Sequence, residues 1–262
     1  MMINTLKNLI YAAFSAIWIR TYEADEAQVE IINLASSEGE TWEVVIWDCV
    51  RGLFQNNKYI DNSNNPMFPL TKLSKSRADD IQIILLHNFH RFLDNPQIMQ
   101  AFNNAALRGK STRTFYIVLS SVKCIPAELE KLITVIEHNL PGDSDIRKIW
   151  ESISDNGETI SEEVIYAAKG LTRRQTEDSF SLSIVEHNSI LPEVIWNLKK
   201  EIINEKGYLN LSMGGPKFSD IGGLDNLKSF AKKILRIENK IPTKGLMLLG
   251  SPGVGKSMWA IS

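Results

Sequence analysis

The sequence predicts an α/β protein with a doubly wound, mostly parallel sheet, followed by an α-helical subdomain. Three observations carry the prediction. Apolar runs of strand length alternate with helix-compatible stretches from Ala16 to Ile136. Several of these runs are continuous, as in Val44-Val45-Ile46-Trp47, which suits strands of a parallel sheet covered on both faces. From Asp143 to about Lys206 the apolar period becomes helical throughout.

The elements follow in order. A helix precedes Ser15, the β-rich stretch Ala16–Tyr22 comes next, and a charged helix covers about Asp25 to Ser36. Trp42–Cys49 reads as a central strand. Gln55 to Asn65 is rich in Asn and Asp, with Pro66 and Pro69 close behind, and reads as a loop. A strand fits Ile81–Leu86, a helix Pro96 to Leu107, and a buried strand Thr114–Ser120. After Pro126 come a short helix and the strand Ile133–Ile136. In the helical stretch Gly170 is a stop and Thr172 an N-cap. Gly207, Gly214, Gly215 and Pro216 mark a linker. Beyond it Leu224 to about Glu238 reads as a helix and Lys244–Leu249 as a buried strand.

With 262 residues the chain exceeds the usual single domain of about 100–200 residues, and 44% apolar content is enough for a core. Its 29 basic and 31 acidic side chains nearly cancel, so no overall field draws it to nucleic acid or an anionic membrane. Cys49 and Cys124 lie far apart, without metal-ligand spacing; they suit a reducing compartment and read as core filler. The apolar run Leu9–Ile19 is too short to span a bilayer and lacks a cleavage site, so a buried helix passing into a strand is expected, and no membrane partner. Trp18, Trp42, Trp47 and Trp150 read as core aromatics.

Chemistry concentrates near the end of the sequence. Gly250-Ser251-Pro252-Gly253-Val254-Gly255-Lys256-Ser257 matches the phosphate-loop pattern G-x-x-x-x-G-K-[ST] at every defined position. Glycines let backbone N–H groups turn toward phosphate oxygens, the lysine ammonium reaches the β- and γ-phosphates, and the Ser257 hydroxyl is a ligand for Mg²⁺. An apolar stretch precedes the loop and Met258-Trp259-Ala260-Ile261 can begin a helix, which is the context the motif requires. Gly250 through Met258 are therefore the candidate contacts for ATP, with Ser257 the candidate Mg²⁺ ligand.

Phe218-Ser219-Asp220-Ile221-Gly222-Gly223-Leu224-Asp225, then an amphipathic helix, then Lys244 through Gly253, resembles the opening of an AAA ATPase module. That resemblance implies that Asp220, Ile221 and Gly222 lie beside the adenine, through backbone groups. Earlier stretches are similar to one narrower family: Ile83 through Leu93, Ile117 through Ser121, Ile125 through Glu130, Leu140-Pro141 and Gly170-Leu171-Thr172. They resemble the uncharacterised chloroplast open-reading-frame AAA ATPases of plastids and bacteria, in which a degenerate AAA-like domain precedes an active module. The resemblance implies ATP and Mg²⁺ as cofactors, a homo-oligomeric ring remodelling a macromolecular partner, and a cytoplasmic or plastid-stromal location.

The departures matter too. At the Walker B place of the first domain, after strand Ile81–Leu86, stand His87 and Asn88 where carboxylates would hold Mg²⁺ and polarise water. No phosphate-loop pattern occurs before Gly250, and no arginine lies between Ser121 and Leu132. A non-hydrolysing domain is expected. His87 and His90 form an HxxH pair without further Cys or His nearby, so structural roles are expected over metal binding.

The expected organisation is a degenerate AAA-like domain at 1–142, a helical lid at 143–206, a linker at 207–217 and the truncated N-terminal part of a P-loop module at 218–262. On this reading the Walker B, sensor and arginine-finger residues of the second module are not in the sequence, and the chain alone is expected to lack ATPase activity. Two further readings stay open: a non-catalytic adaptor, and nucleic-acid binding through Lys228, Lys232, Lys233, Arg236, Lys240 and Lys244.

Overall fold

The computed structural model describes residues 2–38, 42–73, 80–154, 159–205, 207, 215, 217–234 and 247–261. The chain divides into two compact units, Met1–Leu140 and Pro141–Ser262.

The first unit begins with α1 (Met2–Tyr11), β1 (Ala16–Arg20), α2 (Ala24–Ser37) and β2 (Trp42–Asp48). A hairpin of β3 (Gly52–Gln55) and β4 (Lys58–Ile60) leads to the short α3 (Phe68–Thr71). Then come β5 (Ile81–His87), a 3-10 turn (Phe89–Phe92), α4 (Pro96–Thr112), β6 (Thr114–Ser120) and β7 (Thr134–Glu137). The strand order is β4-β3-β2-β5-β6-β1-β7. Every pairing is parallel except β2–β3 and β3–β4. The predicted doubly wound, mostly parallel sheet is therefore present.

Alternation across the pleat explains the continuous apolar runs. In β1, Trp18 packs on one face with Trp47, Phe89, Phe102 and Tyr116. Its neighbours Ile17 and Ile19 pack on the other, with Leu6 and Ile10 of α1 and Ile31 of α2. Each fully buried side chain of this size contributes about 1.5–3 kcal/mol. Trp18, Trp42, Trp47 and Trp150 are all core residues, as expected.

Three expectations need correction here. The expected loop Gln55 to Asn65 contains the end of β3 and all of β4. Asn56 and Asn57 adopt φ of +50° and +59°, the left-handed pair that a tight two-residue hairpin requires and that Asn tolerates. Ser63 anchors this hairpin: its hydroxyl accepts from Leu53 N at 2.7 Å, and its carbonyl accepts from Trp47 Nε1 at 2.8 Å. Cys49 and Cys124 are exposed rather than core filler, in the segments that follow β2 and β6. The third correction concerns the stretch before the phosphate loop. Residues 244–246 lie outside the described residues, and residues 247–249 are not in a strand; Met247 and Leu249 are exposed. No strand pairs with them among the described residues, and an apolar strand without neighbours cannot bury its faces.

In the second unit α5 (Asp143–Ile153), α6 (Glu162–Ala168), α7 (Arg173–His187) and α8 (Pro192–Glu205) pack around Ile146, Trp150, Ile165, Phe180 and Ile195. Gly170 takes φ +85° after α6, and Thr172 caps α7: its hydroxyl accepts from Gln175 N at 3.2 Å while Gln175 Oε1 accepts from Thr172 N at 3.0 Å. A 3-10 turn (Phe218–Asp220), α9 (Asp225–Ile234) and α10 (Lys256–Ile261) follow. Of the expected linker 207–217 only Gly207, Gly215 and Lys217 are described, and the last turn expected for α9, 235–238, lies outside the described residues. Among the described residues no helix is long and apolar enough to cross a membrane.

Candidate nucleotide site

The phosphate-loop residues turn directly into α10, which begins at Lys256. Gly253 and Gly255 take φ of +84° and +80°, conformations that a side chain would strain, and nothing lies within 4 Å of a Cβ built on either. The Lys256 ammonium reaches back over the loop and donates to the carbonyls of Gly250 at 2.8 Å and Ser251 at 2.5 Å. It is held at the mouth of the loop rather than extended into solvent. Ser257 is exposed, as are Ser251, Pro252, Gly253, Val254 and Met258.

The donor set suits an anion: backbone amides, one ammonium and one hydroxyl, with open space over two glycines. It does not suit a bare cation. No group of three or more His, Cys, Asp or Glu side chains among the described residues can hold a metal ion, so Mg²⁺ at Ser257 would take most of its oxygen ligands from phosphate and water.

Asp220, Ile221 and Gly222 are positioned by their own turn. The Asp220 carboxylate accepts from Lys217 N at 2.8 Å and from Ser219 Oγ at 3.1 Å, so its role is to close the turn. Ile221 is buried, and its carbonyl accepts from Lys228 Nζ of α9 at 2.5 Å. Gly222 has nothing within 4 Å of a built Cβ, so of the three it offers the open backbone. Sequence reasoning missed the link to the phosphate loop. Phe218 stacks on Trp259 of α10, ring centroids 5.9 Å apart at 26°, which joins this turn to the helix that follows Lys256.

In the first unit, strand β1 also runs into a turn and a helix, but the turn is Thr21-Tyr22-Glu23, without glycine. Thr21 is buried; its hydroxyl accepts from Glu23 N at 2.9 Å and pairs with His138 Nδ1 at 2.7 Å. His138 in turn faces Glu30 at 3.7 Å. A cavity of about 240 Å³ opens beside this turn, lined in part by Arg20, Glu23 and Glu137. Arg20 Nε is engaged by Glu137 at 2.8 Å. Two carboxylates and a paired arginine are a poor setting for a polyphosphate.

Comparison with known proteins decides the lineage. Residues 2–138 match the family described as the SpoVK-like AAA ATPase N-terminal domain. The chain belongs to that AAA family. It is 28% identical over 279 residues to the uncharacterized AAA domain-containing protein ycf46 of Guillardia theta, an alignment covering 99% of this chain and 54% of that protein. The ycf46 protein of Trieres chinensis is 29% identical over 268 residues, covering 96% of this chain and 54% of the relative. The chain thus spans about half the length of these relatives. Among solved structures, the Aeropyrum pernix ORC2 protein in its ADPNP and ADP complexes aligns with a TM-score of 0.47 and 8% identity, over 81% of this chain and 67% of that one.

Within this AAA chain the end of β5 carries no carboxylate pair. His87 Nε2 pairs with Gln28 Oε1 of α2 at 2.8 Å, and burial lowers the His87 pKa against the raising influence of Asp25 and Asp48. Asn88 adopts φ +51° and opens the 3-10 turn. His90 is buried and pairs with Ser120 Oγ at 2.9 Å; burial again holds its pKa below the usual histidine value. The two imidazoles thus go to different partners, on α2 and on β6. Of the basic run named for nucleic acid, Lys228 is committed to Ile221, and Arg236, Lys240 and Lys244 lie outside the described residues.

Proposed function

We propose that residues 218–262 form the nucleotide-binding start of an AAA module, with Gly250 through Met258 taking the phosphates of ATP, Ser257 holding Mg²⁺ and the Gly222 backbone lying beside the adenine. Residues 1–142 are then a non-hydrolysing AAA-like domain, 143–206 its helical lid, and 207–217 the linker between the modules. In the full-length protein, ATP binding and hydrolysis by ring-forming subunits would remodel a macromolecular partner, as membership of the AAA family suggests. The observation that carries the reading is the Lys256 ammonium folded over a loop whose Gly253 and Gly255 are open at positive φ. The bound nucleotide supplies the phosphoanhydride and, with Mg²⁺, charge neutralisation. The chain's own contribution is positioning: loop amides and Lys256 fix the β- and γ-phosphates, and Ser257 orients the metal.

Exposed Met247 and Leu249 leave the loop without strand support among the described residues, so ordering it on binding costs about 1–2 kcal/mol per residue fixed. Affinity for Mg-ATP on the order of a millimolar, about −4 kcal/mol, is expected. Calorimetric titration of the 262-residue chain with Mg-ATP tests this, with Lys256→Ala as the comparison. Heat that disappears in Lys256→Ala supports the site; equal binding by both chains refutes it.

A further inference from the structure

Two buried polar atoms in the first unit are complementary. Trp18 of β1 is 0% exposed and His90, in the 3-10 turn after β5, is 7% exposed. Their ring centroids are 6.3 Å apart, with planes inclined by 50°. Neither Trp18 Nε1 nor His90 Nε2 has a hydrogen-bond partner among the described residues, and both atoms are shielded from solvent.

Ser120 fixes where the protons lie. Its Oγ is 2.9 Å from Val122 O, 2.9 Å from His90 Nδ1 and 3.2 Å from Val122 N. The hydroxyl has a single proton, and a carbonyl can only accept, so that proton goes to Val122 O. Nδ1 of His90 must then donate to Ser120, which makes Nε2 a bare acceptor. The indole Nε1–H of Trp18 is a donor only. A donor and an acceptor therefore stand unpaired in the same apolar layer, where an unmade hydrogen bond is costly. One small molecule that accepts from the indole and donates to the imidazole satisfies both, and water bears both functions.

We propose that Trp18 and His90 hold an internal water molecule that ties β1 to the turn after β5 and, through Ser120, to β6. Because Trp18 and His90 lie on different elements, the water is a structural part of the sheet's packing, and it exchanges only when that layer opens. The test is heteronuclear NMR on the wild-type 262-residue chain, with the Trp18 indole assigned through its contacts to neighbouring side chains. The expected result is a slowly exchanging indole proton with a rotating-frame cross-peak to a long-lived water, together with a His90 ring protonated at Nδ1. His90→Leu should abolish the water cross-peak. Three results would each overturn the proposal: a scalar coupling between the indole and imidazole nitrogens, which means a direct bond; a protected indole without a water cross-peak; or a His90 ring protonated at Nε2.

Discussion

The Phe218 ring stacks on the Trp259 ring, centroids 5.9 Å apart at 26°, and so joins the Asp220-Ile221-Gly222 turn to the helix that begins with Lys256. Two segments that the motif reading treats separately, one proposed for adenine and one for phosphate, share this contact. An aromatic pair adds about 0.5–1.5 kcal/mol beyond its area, or roughly a factor of 2–10 in an equilibrium. Trp259→Ala should therefore weaken Mg-ATP binding several-fold in calorimetry, while Trp259→Phe, which keeps a ring for Phe218, should stay near wild type. Equal affinity in all three chains would separate the turn from the nucleotide.

How α4 meets β6 gives a prediction on stability. A Cβ built on Gly109 comes within 2.3 Å of Thr114 O and 3.1 Å of Ser15 Cβ, and the first of these is backbone that cannot swing aside. Ser15 Oγ meanwhile donates to Ala106 O at 2.6 Å and holds the helix close. Gly109→Ala should lower the unfolding free energy by about 1–3 kcal/mol, the range for overpacking. Gly222→Ala, with open space around it, should change stability by no more than about 0.5 kcal/mol. Urea unfolding monitored by circular dichroism distinguishes the two.

Much of this architecture was legible in the sequence because it rests on local pattern. Continuous apolar runs at Trp42, Ile81 and Thr114 became parallel strands since both faces of the sheet are covered, and Thr172 capped its helix as its side chain dictates. The β3–β4 hairpin escaped notice because its signal is two asparagines at positive φ, and composition alone reads Asn-rich sequence as loop. At the candidate site the loop residues could be named from spacing, but Phe218 and Trp259 lie 41 positions apart with no periodicity to announce their contact. Nor could spacing show that Asp220 spends its carboxylate on Lys217 and Ser219.

Capping offers a local check on the helical unit. Thr172 and Gln175 exchange two hydrogen bonds at the start of α7, satisfying amides that have no partner within the helix. Thr172→Ala removes one and should cost about 1 kcal/mol, whereas Thr172→Ser should cost only a few tenths. Thermal unfolding of the two variants beside wild type measures the difference. Identical midpoints for Ala and Ser would show that the hydroxyl does not stabilise the unit.

Histidine burial sets a pH dependence whose sign can be worked out. Burial holds the imidazoles of His87 and His90 below the ordinary histidine value of about 6.5. Around His87, Asp25 and Asp48 oppose that shift and Arg51 reinforces it; around His90, Asp94 opposes it and Arg91 reinforces it. A group with a lowered folded-state pKa binds its proton more readily when unfolded, so stability rises with pH across the interval between the two values. The contribution is complete above the unfolded value of 6.5, falls as pH drops toward the folded values, and is flat below them. Denaturant midpoints should therefore fall as pH drops below about 6.5, with unfolding accompanied by proton uptake. His90→Leu replaces the titrating ring with an apolar side chain and should flatten part of that slope, even if it lowers stability at every pH. His87→Gln should flatten another part independently, since the two rings bond to different elements. A slope unchanged in the double variant would mean that carboxylates, not these imidazoles, govern stability across this range.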